Sequence, residues 1–290
     1  MWQTSALYDH AAAFAGEVWH IALILGIATA VFAPLEYFFA VRRSRFFYQG
    51  WRVDLGWYVF SGLTLGFVLG PITATIAWAA HAALPSAMTG AASALPLWAR
   101  MIGAMIVGEV GFYWGHRWTH TIPVLWQFHA VHHSAGHVGF LVNTRGHPVD
   151  VAFTRACGLT MLYAFGFADT LGPDPALIPA LVVFAGSFWT YFIHSNVKVR
   201  LGFLEEVIAT PFFHHWHHTR EDHKDRNYAS MVPVMDRIFG TMYRPKEWPA
   251  EYGTATPVPD NLVGQLLQPF APPPEPAATI DRPGVLPPDR

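Results

Sequence analysis

Three short segments of the sequence carry histidines at spacings that place their imidazoles on one face of a helix. HRWTH has two histidines four residues apart, and HAVHH and HHWHH each have three at spacings of three and four. Residues so spaced lie about one turn apart on the same helix face. Neutral imidazoles are common ligands of transition metals. The segments therefore supply eight candidate metal ligands: His116, His120, His129, His132, His133, His214, His217 and His218.

Two further histidines lie where apolar segments meet polar ones. His147 is in RGHPVD and His194 is in FIHSN, and both are expected as additional ligands. Eight to ten nitrogens exceed the four ligands of a zinc site, so the number favours two metal ions with four or five ligands each. Imidazole suits iron, zinc, copper and nickel alike, so ligand type leaves the metal open.

The rest of the sequence excludes several other kinds of site. The one cysteine, Cys157, cannot form a thiolate zinc or iron-sulfur site, which would need several. The formal net charge of -2 disfavours nucleic-acid binding, since there is no basic excess to neutralise phosphates. The HExxH pattern of zinc proteases is missing as well.

The elements that must position these histidines are unusually apolar. The chain is 52% hydrophobic and 13% charged, against about 25% charged residues in a typical soluble domain. Runs long enough to cross a bilayer, about 20 residues, occur near 18–41, 55–84 and 95–115. The region 151–193 is interrupted by Asp169 and LGPDP, which predicts a hairpin of two apolar helices. We expect an all-α, multi-span transmembrane bundle of four to five spans, with a cytoplasmic helical cap that carries the histidines.

Basic residues set the expected orientation of this bundle. Arg42, Arg43 and Arg45 follow the first span directly, and more Lys and Arg follow His194. Because loops rich in Lys and Arg face the cytoplasm, the clustered histidines are expected on that face of the membrane. Arginine outnumbers lysine by 15 to 3, which favours a GC-rich bacterial genome and hence a cytoplasmic membrane, with the endoplasmic reticulum as the alternative.

Three regions follow from this interpretation. Residues 1–104 are expected to hold N-terminal transmembrane helices. Residues 105–245 are expected to form the region that carries the site, which includes the histidine segments and the transmembrane hairpin. Residues 246–290 are a proline-rich tail, and its composition predicts disorder from about Pro257.

The motifs HRWTH, HAVHH, RGHP, HSN and HHWHH, followed by DRNYASMVPVMDRIFGTMY, resemble those of the integral-membrane fatty acid hydroxylase and sterol desaturase superfamily. Their order and spacing match from about Glu109 to Tyr243. The resemblance implies a non-haem centre of two iron ions, which uses O2 and two external electrons to hydroxylate or desaturate an unactivated carbon of a lipid. It implies the eight histidines above as iron ligands, with His147 and His194 as additional ones. Glu109, where aspartate is common, and Ala229, where glycine is frequent, depart from the family pattern.

Carboxylates and amides near the motifs are candidates to orient the imidazoles by accepting their second N–H. Glu109 is favoured among them, because it lies seven residues before His116 on a similar helix face and is costly in a membrane without a partner. The full set is Glu109, Asn143, Asp150, Asn196, Asp222, Asp225 and Asn227.

The expected partners are a lipid that enters from the bilayer and an external electron-transfer protein. The chain has neither a GxGxxG nucleotide fingerprint nor a cysteine set for an iron-sulfur cluster. Electrons are therefore expected from a separate reductase with a ferredoxin, or from a cytochrome b5-type donor. No residue indicates a particular lipid head group, and the oligomeric state is open.

Two other functions fit a membrane protein rich in histidine. One is a binding, transport or electron-transfer protein that carries a transition metal or ligates haem without oxygenase activity. The other is a hydrolase with one zinc-activated water, which needs an open three-ligand site. The grouping of the histidines at one membrane boundary favours the oxygenase, and hydroxylation is favoured over desaturation.

Overall fold

The computed structural model describes residues 2–44, 47–89, 91–168, 177–220 and 223–271. Within these ranges the chain is helical and contains no strand, which confirms the all-α prediction. The helices are α1 Trp2–Phe39, α2 Trp51–Ala83, α3 Ser86–Thr89, α4 Leu97–Thr121, α5 Pro123–His133, α6 Pro148–Ala164, α7 Leu177–His194, α8 Pro211–His217, α9 Val234–Ile238 and α10 Leu262–Leu267. Four short 3-10 helices occupy Ala91–Ala94, Phe140–Thr144, Gly202–Glu206 and Gln268–Phe270.

Two helices in the described part of the chain are long and apolar enough to cross a membrane, by length and composition. They are Ala12–Phe39 within α1 and Trp51–Ala83, which is α2, with mean hydropathies of 2.0 and 1.7. Large apolar side chains on them, such as Trp19, Phe67 and Trp78, are exposed. Such a surface suits contact with lipid rather than water. These helices coincide with the first two predicted spans.

The other predicted spans correspond to α4, α6 and α7. α6 has 17 residues and α7 has 18, fewer than the roughly 20 that cross a bilayer without tilt or thinning. α4 carries Glu109 and two histidines. The LGPDP turn that was expected to join the hairpin lies outside the described residues. Two candidate spans are therefore observed, and a total of four to five remains a proposal.

α4 and α6 pack closely because glycines of α4 face α6. A Cβ atom at Gly111 would collide with the carbonyl oxygen of Cys157, and one at Gly115 would lie 2.9 Å from the Cβ atom of Cys157. Only a residue without a side chain permits this approach. The end of α4 is thereby fixed beside the beginning of α6.

A buried cluster of apolar side chains joins α4 to α7 and α8. Tyr113 of α4, Ile193 of α7 and Phe213 of α8 pack together with Tyr228 and Ala229 of the following loop. The hydroxyl groups of Tyr113 and Thr241 lie 2.7 Å apart, so the tyrosine is also satisfied as a polar group. This cluster holds the histidine-bearing ends of three helices in one place.

The expected disorder from about residue 257 is wrong for residues 257–271. This segment contains α10, and Gln265 is buried. The indole N–H of Trp57 donates to the Gln265 side chain over 2.6 Å, and the amide of Gln265 donates to the carbonyl of Pro259 over 2.7 Å. Asn261 caps α10 by accepting from the backbone N–H of Gly264. The tail composition did not reveal these long-range contacts, and residues 272–290 lie outside the described part.

Candidate metal centre

Four helix ends bring nine histidines together. The end of α4 carries His116 and His120, and the end of α5 carries the three histidines of HAVHH. His194 is the last residue of α7. α8 is a short helix that begins with Pro211 after the cap Thr210, whose side chain accepts from the backbone N–H of Phe213. It presents the remaining three: His214, His217 and His218.

The nine histidines form two groups, each compact enough for one metal ion. In each group one ring nitrogen per residue lies within 4.8 Å of all the others. Imidazole nitrogens bind such metals at about 2.0–2.1 Å, so ligands on opposite sides of one ion are separated by roughly 4.2 Å. The first histidine group contains His116, His120, His129, His133 and His217, and the second contains His132, His194, His214 and His218.

The two groups adjoin. Residues that are adjacent in the sequence belong to different groups. His133 and His217 are in the first histidine group, and their neighbours His132 and His218 are in the second. The ring centroids of His133 and His218 lie only 4.5 Å apart. Two ions held by these groups would therefore be neighbours, as the number of histidines predicts.

Six of the nine rings have their Nδ1 atom hydrogen-bonded to a backbone carbonyl or carboxylate oxygen. Because these oxygens accept, the imidazole Nδ1 carries the proton and donates it. In a neutral ring the Nε2 atom is then left with a lone pair. The six pairs are His116 with the Tyr228 carbonyl (2.7 Å), His132 with the Arg145 carbonyl (2.9 Å), His194 with the Thr190 carbonyl (2.7 Å), His217 with the Arg226 carbonyl (2.8 Å), His120 with Asp225 (3.1 Å) and His129 with Asp150 (3.0 Å).

The Nε2 atoms of these histidines lie close together in the protein interior. The Nε2 atoms of His116 and His129 lie 3.2 Å apart, and in two neutral rings that donate through Nδ1 both of these atoms carry lone pairs. The buried Nε2 atoms of His120 and His217 have no hydrogen-bond partner among the described residues. Unpaired polar atoms in an interior are costly. A metal cation bound by these lone pairs would remove that cost, so the donor set fits a pair of metal ions.

Protonation is disfavoured for three of the grouped histidines, so it does not replace a metal ion as the partner of their ring nitrogens. Burial, together with nearby His129, lowers the pKa of His132 to about 4. Burial and neighbouring imidazoles also hold the pKa values of His133 and His214 well below 6.5. His132, His133 and His214 are therefore neutral at pH 7, which is the state in which imidazole binds a metal.

His147, an expected ligand, belongs to neither group. Its Nε2 atom lies 3.2 Å from the carbonyl of Leu266, and its Nδ1 accepts from the backbone N–H of Val149 at the start of α6. The ring packs between Phe128 and Phe270. Both nitrogens are thus used in holding the C-terminal segment and capping a helix, and we withdraw this residue from the ligand set.

Among the residues expected to orient the imidazoles, Asp150 contacts His129 and Asp225 contacts His120, whereas Glu109 contacts no histidine. Glu109 is buried but accepts from the backbone N–H groups of Ser230 and Met231. It holds the turn that follows Tyr228, so its effect on His116 is indirect.

The amide candidates have other partners. Asn196 bonds through its side chain to the backbone of Arg42, and Asn227 donates to the carbonyls of Phe213 and Tyr243. Asn143 lines a cavity beside the histidines, and no hydrogen bond joins it to a histidine in the described part. Asp222 lies outside the described residues.

Sequence reasoning missed two acidic residues that position the site from the apolar helices. Asp54 of α2 binds the guanidinium of Arg145 over 2.7 Å, in a buried ion pair. Arg145 in turn supplies the carbonyl that accepts from His132. Glu36 of α1 accepts from the backbone N–H groups of Phe140 and Asn196. An acidic residue within an apolar segment was the available signal, since it is expensive there without a partner.

A cavity of about 510 Å³ opens from both histidine groups toward the apolar helices. His116 and His129 line it from the first group, and His132, His194 and His214 from the second. Its other walls include apolar side chains of α1 and α2, namely Ile21, Ile24 and Leu65. The volume is in the range of ligand-binding cavities, and the lining suits an apolar chain beside the metal centre.

Comparison with known proteins gives a consistent result. The family model "Fatty acid hydroxylase" matches residues 101–241, which include all nine grouped histidines. Ornithine lipid hydroxylase OlsE of Rhizobium tropici is 31% identical over 180 residues, 61% of this chain and 52% of that protein. Alkylglycerol monooxygenase of Danio rerio is 29% identical over 171 residues, 57% of this chain and 34% of that protein. Methylsterol monooxygenase 2-2 of Arabidopsis thaliana is 28% identical over 159 residues, 51% of this chain and 55% of that protein.

The aligned part is thus about a third to a little over half of each relative's length. No solved structure matches the chain.

Proposed function

Because residues 101–241 belong to the fatty acid hydroxylase and sterol desaturase superfamily, we propose that this protein is a membrane-bound di-iron oxygenase that hydroxylates a lipid. The observation that carries the proposal is the pair of adjoining histidine groups, whose Nε2 lone pairs converge without protons between them.

The metal proposed for both groups is iron, as the family resemblance implies. Two bound irons would supply the redox chemistry for cleaving an unactivated C–H bond, which amino-acid side chains alone cannot perform. The balanced reaction is R–H + O2 + 2 electrons + 2 protons giving R–OH + H2O. The two electrons come from a separate reductase with a ferredoxin, or from a cytochrome b5-type donor.

The chain's own residues hold the rings and shape the space beside them. Asp150, Asp225 and four backbone carbonyls fix the Nδ1 protons, so that every such ring directs Nε2 inward. In this proposal the substrate occupies the cavity beside both groups, where the apolar side chains that α1 and α2 contribute to the wall would limit the access of water to the reacting carbon. Hydroxylation is favoured over desaturation because the relatives above are named hydroxylase or monooxygenase.

The proposed membrane arrangement has the histidines at the cytoplasmic face. α1, α2, α4, α6 and α7 form the membrane part, and α5, α8, α9 and α10 form a cap beneath it. Arg42 supports this orientation: it lies just beyond α1, and its backbone N–H donates to the Asn196 side chain, two residues after His194. Substrate then enters the cavity from the bilayer.

The test is an isotope-labelling experiment. Purified protein with iron, a reductase system and a membrane lipid extract is supplied with 18O2, and the lipids are analysed by mass spectrometry. We expect a lipid product heavier by one 18O atom, formed only when reductant is present. A protein that binds metal or haem but gives no labelled lipid and consumes no O2 would favour a transport or electron-transfer function instead.

A further inference from the structure

Arg155 is a charged residue of α6 that the metal centre does not use. It is exposed and lines the same cavity as the histidines. Within the described part of the chain, its guanidinium group makes no hydrogen bond, ion pair or stacking contact with the protein. Arginine stays charged at any physiological pH, and a charge on an apolar helix without a partner is expensive. An anionic ligand in the cavity would supply the missing partner.

The position of Arg155 relates it directly to the metal centre. Asp150, Val151, Thr154 and Arg155 all line the cavity, which is the spacing of one helix face. Asp150 holds His129 of the first histidine group. Arg155 is five residues further along, or roughly 7.5 Å along the helix axis. A group bound there would extend toward the histidines through the cavity.

Three other charged side chains line the cavity. Asp150 is bonded to His129 and Arg145 is paired with Asp54, which leaves Glu17 of α1. Glu17 lines the cavity together with His20, and no ion pair joins Glu17 to Arg155 among the described residues. Glu17 therefore does not neutralise the arginine. The walls also include Ile21 and Ile24 of α1, which offer no polar contact to an anion.

We propose that Arg155 binds the anionic group, a carboxylate or a phosphate, of the lipid that occupies this cavity. The planar guanidinium group can form two parallel hydrogen bonds to either oxyanion. The lipid's apolar chain then lies along α1 and α2, with part of it beside the histidines. That this lipid is the substrate rests on the proposed function, but the binding itself needs neither iron nor O2.

The experiment measures binding to the protein as purified, in an uncharged detergent and without reductant. Three lipids of equal chain length are titrated separately and followed by native mass spectrometry: a free fatty acid, a phosphatidic acid and an uncharged monoacylglycerol. We expect an anionic lipid to bind, and Arg155→Gln to weaken that binding about tenfold or more, as loss of a charge-assisted hydrogen bond does. Binding of the monoacylglycerol should not change. The anionic lipid that responds identifies the group as a carboxylate or a phosphate.

Two matched variants distinguish a specific role of Arg155 in lipid binding from the general effect of removing a charge. Arg100→Gln removes an arginine of α4 that does not line the cavity, and it should bind the anionic lipid like the parent protein. Glu17→Gln removes the negative charge from the same cavity, and it should not weaken binding. Iron content equal to that of the parent protein would show that Arg155→Gln is folded.

Unchanged affinity of a folded Arg155→Gln for both anionic lipids would overturn the proposal. Equal weakening for the monoacylglycerol, or equal weakening by Arg100→Gln, would overturn it too. A labelled product in the 18O2 experiment alongside unchanged lipid affinity would refute the role of Arg155 alone. Lipid binding that depends on Arg155, without any oxidised product, would refute the oxygenase alone.

Discussion

The Nε2 atoms of His132 and His194 lie 3.2 Å apart, although 62 residues separate them in the chain. Each ring donates its Nδ1 proton to a backbone carbonyl, of Arg145 and of Thr190 respectively. Two lone pairs therefore face each other, and a cation that binds both nitrogens would explain this contact. The pair links α5 to α7 and completes the second histidine group.

Replacing His194 tests that group. His194→Ala should lower the iron content from two ions to about one per chain and abolish lipid oxidation, because four ligands become three. His147→Ala is the matched control, since His147 lies outside both groups. It should keep both ions and lose stability only, about 1 kcal/mol from the helix cap together with the packing against Phe128 and Phe270. Metal analysis of both variants decides the matter, and equal iron loss in the two would contradict the grouping.

Asp225 is expected to act on iron through His120. Asp225→Ala removes the acceptor of the His120 Nδ1 proton, and changes of this kind reduce metal affinity by about 10–100-fold. Competition with a chelator measures the effect. Asp260→Asn, an exposed change elsewhere, should leave affinity unaltered. Affinity of Asp225→Ala equal to that of the parent protein would show that this contact does not position the ring.

The pairing of Trp57 with Gln265 is expected to stabilise the C-terminal segment. Gln265→Leu leaves the buried indole N–H of Trp57 without its acceptor, which should cost about 1–3 kcal/mol in the free energy of unfolding. Adding Trp57→Phe removes the orphaned donor, so the double variant should recover part of the loss. Thermal unfolding in detergent measures the two single variants and the double variant. A double variant that shows the summed loss of the two single ones would argue against a direct interaction.

His137 is expected to make stability depend on pH. Burial, and then the charge of Arg42, lowers its pKa from 6.5 to about 4. The unfolded chain therefore binds a proton near pH 6.5 that the folded chain does not accept until about pH 4, and stability falls as the pH drops between these values. His137→Gln should show a smaller fall in unfolding temperature between pH 7 and pH 5 than the parent protein. An identical fall would remove His137 as a contributor.

The histidine groups were largely predictable because helical periodicity decides which side chains share a face. The three segments supplied eight of the nine members, and His194 was expected from its position at the end of an apolar run. Periodicity does not reveal tertiary partners. His147 was misassigned because its role depends on α10, over 100 residues away, and Glu109 was misassigned because the loop at Ser230 takes its oxygens.

The backbone carbonyls that fix the imidazoles were beyond sequence reasoning. Every residue has the same backbone carbonyl, whatever its side chain. Nothing in the sequence therefore distinguishes Tyr228 or Thr190 as an acceptor. The ion pair of Asp54 with Arg145 joins residues 91 apart and follows from the packing of α2 against the loop after α5. The folded state alone brings such pairs together.

The most direct test of the account is the metal content of protein purified without chelators under anaerobic conditions. Elemental analysis together with Mössbauer spectroscopy of 57Fe-grown material should give two irons per chain, in non-haem sites with nitrogen ligands. A single zinc per chain, or one iron bound as haem, would contradict the claim that the two histidine groups hold a di-iron centre.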